Sequence, residues 1–383
     1  MRTFLHAFFL AIPICASALL LSACQSGPTA VDAQSINNAG QIAPYRARFG
    51  RSRPLIAVVG DNQHTELTDF VVPYGILSQS GVAEVISVST TAGPIKTLTD
   101  MGKPGFRIQA EATLDQFDAR FPDGADYIIV PATHDSPALL HWIAQQAKSG
   151  TTIVSICNGA LVVAKSGAMN GHRATAHWST EGQRMEMFPE IRWMKNTRYV
   201  ADGNWVSSAG VSASIPISIA LVEAIVGHDR AATLARELGV DSWSARHNSD
   251  SFQPQLGVNL VPLAVTAYTN GWFHKNDRIG IPVAEGVNEV ALALTADAYS
   301  STGRSQAFIV AASKAPLHTR HGLVIIPDMT GSESASLDYA LPAQVDTPDG
   351  KVLDRVLGEI RNRYGATDAY GVALLLEYPG FHD

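Results

Sequence analysis

The run Thr151-Thr152-Ile153-Val154-Ser155-Ile156-Cys157-Asn158-Gly159-Ala160-Leu161 carries an apolar stretch into a cysteine and passes at once through a glycine into helical spacing. This is the layout of a nucleophile elbow, in which a sharp strand-to-helix turn lifts one side chain above a sheet and small neighbours leave room around it. A helix N-terminus behind the turn offers free N–H groups and partial positive charge, which predicts a thiol pKa well below the free value of about 8.5. Two further cysteines occur. Cys24 closes Leu21-Ser22-Ala23-Cys24 after Arg2 and an uncharged stretch from Thr3 to Leu21, which has the form of a lipobox. Cleavage there removes Cys15 and lipidation consumes Cys24, so Cys157 is the one thiol left and no intramolecular disulfide can form. The alternative is an uncleaved anchor, since the stretch nears the ~20 residues a spanning helix needs. Gln25 after the cysteine resembles the pattern for outer-membrane sorting, which places the chain at the periplasmic face of that membrane.

The elements that must hold Cys157 follow from short apolar runs. A chain of 383 residues exceeds what one core usually serves, so two folded units are expected, and 46% apolar residues with 31 glycines suit a globular body. Residues 1–24 read as a signal peptide and 25–53, rich in Ser, Gly, Pro, Asn and Gln, as a flexible tether. From residue 54 to 245, apolar runs at 55–59, 85–88, 127–130 and 151–156 read as buried parallel strands, and helical spacing occupies 66–79, 136–148 and 215–226. The order is β-α-β repeated, which predicts an α/β doubly wound parallel sheet with flanking helices, flavodoxin-like. A connector at 246–276 leads to a smaller α/β block at 277–383. That block echoes the first: the strand at 278–281 answers 55–59, Glu289 falls where Glu66 fell, and 307–313 answers 85–89. Its later part reads as a strand at 323–327, a helix at 351–363 and a strand at 372–378, with no second elbow. It is a candidate degenerate half-repeat.

From Cys157 through Ala174-Thr175-Ala176-His177-Trp178 to Ser208-Ala209-Gly210-Val211-Ser212, the chain resembles the ThiJ/PfpI superfamily, which has a class I glutamine amidotransferase-like fold. The likeness is greatest to isocyanide hydratases and to the sensor domain of AraC-type regulators, and it covers residues 54–245, about half the chain. It implies that Asp69, four residues before Pro73, is the buried acid beside the cysteine. A carboxyl desolvated next to a thiol is pushed toward its protonated form, and can then donate a hydrogen bond and shuttle a proton. Otherwise a lone aspartate caps or solvates a helix. The resemblance assigns His177 to the histidine near the cysteine, as orienter or base, although a satisfied core or surface histidine is the ordinary alternative. It also makes the backbone amides of Asn158 and Thr133 the oxyanion donors. Two positions depart from the pattern: Ala132-Thr133 stands where Gly-Gly is usual, and Asn158 where isocyanide hydratases carry a hydroxyl. In the second block Leu292 and Ala296 take the places of Asp69 and Pro73, which predicts non-catalytic packing over a face that relatives use to dimerise.

A net charge of −7 opposes phosphate-backbone binding, and residues 246–383 hold 10 Lys or Arg against 15 Asp or Glu where the regulators carry a basic helix-turn-helix. Nucleic acid is therefore not an expected partner; a small-molecule ligand, and the membrane through the N-terminal lipid, are. The chemistry needs no cofactor and no metal. Two functions remain open at this level: a cysteine-dependent enzyme that attacks an electrophilic carbon, of an isocyanide or a reactive carbonyl, or a non-catalytic envelope module that senses a ligand or the redox state.

Overall fold

The computed structural model describes residues 40–381. The signal peptide, Cys24 and the tether as far as residue 39 lie outside the described residues. Strand β1 (Leu55–Gly60) is flanked by β2 (Glu84–Ser89) and then β3 (Ala112–Thr113) on one side, and on the other by β4 (Tyr127–Val130) and β5 (Thr152–Ser155). Beyond β5 lies β7 (Trp205–Ser208) and, at the edge, β6 (Tyr199–Asp202), which turns back antiparallel; the other pairs are parallel. Because side chains alternate along a strand, Ile56 and Val58 enter one core while Leu55, Ala57 and Val59 enter the other. Burial on both faces explains why these strands read as unbroken apolar runs. The order reverses between β4 and β1, and in open α/β sheets the crevice beyond such a switch point is where sites assemble.

Helix α1 (Leu67–Ser80) leaves the end of β1, α2 (Pro137–Lys148) leads into β5, α3 (Gly159–Lys165) follows it, and α4 (Ser214–Val226) packs against α1. The second block builds its own parallel sheet in the order β10 (Met329–Thr330), β9 (Ser305–Ala311), β8 (Asp277–Pro282), β11 (Tyr339–Ala340). Helix α5 (Glu289–Ser300) joins β8 to β9 as α1 joins β1 to β2, and α1 and α5 pack against each other. The approach is close: a Cβ at Gly75 would lie 2.6 Å from Val290 Cγ2. The strand expected at 323–327 is Val324–Ile326, which pairs antiparallel with Arg107–Gln109 of the first block and so stitches the two halves together.

Two expectations need correction. Residues 40–53 do not continue a tether but lie on the sheet domain. Ile42 is buried, Tyr45 N–H donates to Ala224 O at 2.8 Å, Arg48 donates to Gly150 O at 2.7 Å, and Arg51 pairs with Asp126 at 2.9 Å. Polar composition concealed these anchors. Residues 372–378 are no strand: α6 (Val352–Tyr364) ends at Gly365, whose φ of +107° breaks the chain direction, and α7 (Ala366–Leu375) takes up most of the run. A short apolar run fits a buried helix and a buried strand equally.

Candidate functional site

Cys157 stands two residues beyond the end of β5 with φ +53°, the left-handed region, and is 2% exposed. A non-glycine residue there stores about 1–3 kcal/mol of strain, which the surroundings must hold. They do so through Ile156 N–H to Val130 O at 2.9 Å, Cys157 N–H to Ser208 Oγ at 3.4 Å and Gly159 N–H to Ile156 O at 2.8 Å. Gly159 is required by the crowding below the turn, where a Cβ would fall 2.1 Å from Val130 O and 2.8 Å from the Pro131 carbonyl. The elbow is thus pressed onto the chain leaving β4.

The same chain meets Asp69 on its other side. Ala132 N–H donates to Asp69 Oδ2 at 3.0 Å, and Glu66 N–H donates to Ala132 O at 2.6 Å. Glu66 caps α1, its Oε2 accepting from Asp69 N–H at 2.6 Å and from Thr68 Oγ1 at 2.9 Å. Asp69 Oδ1 and Glu66 Oε1 are buried with no hydrogen-bond partner. Burial pushes Asp69 well above the ordinary carboxyl range against the pull of the Ala132 N–H, and burial with the charge of Asp69 does the same to Glu66.

The expected acidic thiol is overturned. Burial pushes the Cys157 thiol well up, and Asp69, Asp100, Glu66 and Glu377 push the same way. The helix behind the turn has only seven residues and cannot offset four carboxyl groups and a dry site.

His177 is buried, and its two ring nitrogens have partners other than Cys157. Nε2 lies 2.8 Å from Leu375 O, so it must donate; Nδ1 then accepts from Ser179 N–H at 3.3 Å and lies 2.7 Å from Ser179 Oγ. No hydrogen bond joins it to the thiol. Among the described residues, the amides of Asn158 and Thr133 have no acceptor, as oxyanion donors require. The side chain of Thr133 is tied back, its Oγ1 accepting from Asp61 N–H at 3.0 Å and donating to His64 O at 2.9 Å, and Asn158 Oδ1 accepts from Thr180 Oγ1 at 2.8 Å.

Sequence reasoning missed five groups, two of which come from the second block. Glu377, 1% exposed and at φ +51°, accepts from Gly210 N–H at 2.7 Å and from Trp178 N–H at 3.1 Å, with His247 Nε2 3.4 Å away. Burial alone would raise this carboxyl, but His247, His177 and the Gly210 N–H hold it below its ordinary value. Asp297 of α5 accepts from Asp100 N–H at 2.9 Å, while its Oδ2 is buried without a partner; burial and the charge of Asp100 push it up to about 7. The remaining three are Glu66, Asp100 and His247. Only Glu377 had a usable signal, a single charge behind the uncharged run 369–376. Among the described residues no group of three or more His, Cys, Asp or Glu is arranged to hold a metal ion.

The DJ-1/PfpI family matches residues 56–224, the span that carries β1, Asp69, the elbow and His177. The chain carries a DJ-1/PfpI domain. Among curated proteins, an isonitrile hydratase from Pseudomonas putida is 28% identical over 195 residues, half of this chain and 80% of that enzyme. The HTH-type transcriptional regulator CdhR from Pseudomonas aeruginosa is 29% identical over 118 residues, of which the match spans 31% of this chain and 35% of the regulator. Among solved structures, Drosophila melanogaster DJ-1beta (19% identity, TM-score 0.43) aligns over half of this chain and all of its own. A ThiJ/PfpI family protein from Pseudomonas syringae (21% identity, TM-score 0.42) aligns over 58% of this chain and 83% of its own. The DJ-1/PfpI domain ends before α5, so the second block is an addition to it.

Proposed function

We propose that the DJ-1/PfpI domain of this chain is a cysteine-dependent small-molecule enzyme of the cell envelope, held there by a lipid on Cys24, in which Cys157 attacks an electrophilic carbon such as that of an isocyanide. The observation that carries this reading is the elbow's contact with the Val130–Ala132 backbone, which in turn binds Asp69, a buried carboxyl with one oxygen free. A raised pKa makes Asp69 a stronger base than an ordinary carboxylate, suited to take the proton of a thiol that is itself hard to ionise. With an isocyanide, Cys157 Sγ forms a bond to the terminal carbon as Asp69 takes the thiol proton and returns it to that carbon, giving a thioimidate. Water adds to the same carbon with a proton passing to nitrogen, and the C–S bond breaks to release an N-substituted formamide and the thiol. The amides of Asn158 and Thr133 would hold negative charge as it develops on the water-derived oxygen. A reactive carbonyl compound is the other substrate class with an electrophilic carbon of this kind. The likeness to isonitrile hydratase supports the first.

The burial of Cys157 and its raised pKa favour one further reading, a module that holds its ligand against a resting thiol without turnover. Incubation of the full chain with a simple alkyl isocyanide, with the formamide followed by mass, separates the two. Turnover is expected in wild type and should fall by at least about 100-fold in Cys157→Ala and Asp69→Ala. Unchanged formamide production in Cys157→Ala would defeat the enzymatic reading.

A further inference from the structure

Residues 251–273, between the two blocks, contain no charged residue and no histidine. They run through two short helices, Leu260–Ala264 and Asn270–Phe273, with an intervening turn of wider helix, and their polarity is inverted. The inward positions are Leu263, Thr266 and Asn270, all buried, and Asn270 Nδ2 donates to Thr302 O at 2.8 Å and to Asp368. The large outward side chains are mostly apolar, with Gln255 and Thr269 the polar ones: Val261 is 68% exposed, Tyr268 65%, Trp272 83% and Phe273 76%, with Leu256 at 90% just before them. A surface helix of a soluble domain normally turns its polar face to water. Here the large apolar side chains face out together, and scattered exposure does not produce such a cluster.

We propose that this surface, residues 256–273, inserts into the head-group layer of a lipid bilayer. The inference rests on the envelope lipoprotein reading, and two observations choose the bilayer over a protein. Trp and Tyr on an uncharged outward face are the residues that settle at a membrane–water boundary, and no charged side chain in the run opposes entry. The second observation is chain length. Gly40 sits against Ala245, where its Cβ would meet that of Ala245 at 2.4 Å, so the anchored end of the chain enters the fold close to the start of the uncharged run. Sixteen positions separate Cys24 from Gly40, which can span at most about 55 Å. An acylated Cys24 therefore keeps the patch within a tether's length of the bilayer, where weak insertion becomes effective through high local concentration. Among the described residues no helix is long and apolar enough to cross a membrane, so the patch lies on the bilayer rather than spanning it.

Insertion also has an address in the fold. Gly371 of α7 packs so tightly on the segment that a Cβ would lie 1.9 Å from Thr266 Oγ1 and 2.7 Å from Pro262 O, and α7 ends at the Leu375 carbonyl that holds His177. The membrane-facing segment and the site thus share one helix.

The test uses the full chain, acylated and as Cys24→Ser, with vesicles of phosphatidylethanolamine and phosphatidylglycerol carrying brominated acyl chains. Tryptophan quenching is compared between wild type and Trp272→Phe, the difference reporting Trp272 alone. Quenching of Trp272 is expected in both forms, stronger in the acylated chain, and about tenfold weaker vesicle partitioning of the Cys24→Ser chain when Val261→Asp and Phe273→Ser are added. If intact mass shows no lipid on Cys24 yet Trp272 is quenched, the anchor reading fails and the surface stands. If acylated protein binds vesicles while Trp272 is unquenched, the surface proposal is overturned and the anchor survives. A dimer in solution that dissociates on Phe273→Ser, with no quenching, would instead make this face an interface between copies and overturn the bilayer as its occupant.

Discussion

The unit β1-α1-β2 and the unit β8-α5-β9 have the same order and parallel pairing, and their helices pack on each other, yet they hold opposite places in the chemistry. The first keeps an acid, Asp69, in the opening turn of its helix. The second has Ala291 at the matching place, since Asn288 caps α5 by accepting from Ala291 N–H as Glu66 caps α1 by accepting from Asp69 N–H; the sequence offset that paired Asp69 with Leu292 is one residue out. What the second unit lacks in its own crevice the second block supplies to the first: Asp297 reaches Asp100, α7 ends at the Leu375 carbonyl that meets His177, and the chain after it brings Glu377 to the Gly210 amide. A βαβ unit is therefore no guide to a site by itself; the chain leaving its strands decides what stands at the sheet edge. In this protein the second unit takes the position over the first helix and supplies buried groups that a single unit lacks.

The comparison breaks first at the elbow. Gly159→Ala places a Cβ against the Val130 carbonyl and should cost about 3 kcal/mol or more, because backbone on both sides has no room to move. In the second block Gly331 has open space around its missing Cβ, so Gly331→Ala should stay within about 0.5 kcal/mol. Urea midpoints of the two variants check this; similar losses would mean that the elbow is not the tighter of the two regions.

Glu377 tests how far the second block completes the site. Glu377→Ala leaves the Gly210 and Trp178 amides without their acceptor and His247 without its nearby carboxylate, and should destabilise by about 3 kcal/mol. Glu377→Gln keeps an acceptor and should cost less. The carboxyl's depressed pKa stabilises the fold above the unfolded value near 4.5, and that contribution is lost as pH falls through the lower folded value. The Gln variant should therefore lose less stability than wild type on acidification below about pH 4. An identical acid limb in both would show that Glu377 is not held ionised.

Asp297 gives a pH effect of opposite sign. Its folded pKa, about 7, stands above the unfolded value of 3.8, so the stability it allows is fully present below that unfolded value and is lost as pH rises toward 7. Each unit of pH in that window costs on the order of 1 kcal/mol for one such group. Asp297→Asn keeps the oxygen that accepts from Asp100 and removes the titration, so denaturation midpoints between pH 4 and pH 8 should vary less than in wild type. The same slope in both would place Asp297 outside the buried carboxyl group.

The legible and the hidden parts of this molecule differ in the sequence distance of their causes. The strand Tyr127–Val130 and the elbow at Cys157 rest on local patterns, an apolar run between breakers and a glycine two residues on, and both could be read directly. Asp69 was reached only through family resemblance, since a single aspartate on a helix has no local mark of burial. Glu377 and Asp297 act across 167 and 197 positions, on partners that pattern reading cannot pair. The thiol was misjudged for the same reason: the helix terminus behind it is local and was counted, whereas the carboxyl groups around it come from three separate segments.

The smallest expected effect lies in that thiol. Burial sets the direction, and Asp69 is the foremost of the charges that add to it, so alkylation of wild type against pH should have a midpoint above the free-cysteine value of about 8.5. Asp69→Asn removes the charge while keeping an oxygen that can accept from Ala132 N–H, and the midpoint should move down, by about one unit. If the protonated acid instead donates to a thiolate, Asp69→Asn shifts the midpoint slightly upward and Asp69→Ala further, because a donor is then weakened or lost rather than a repelling charge. The sign of the shift thus decides how the buried proton is shared: a fall assigns it to the thiol with Asp69 as base, and a rise assigns it to Asp69.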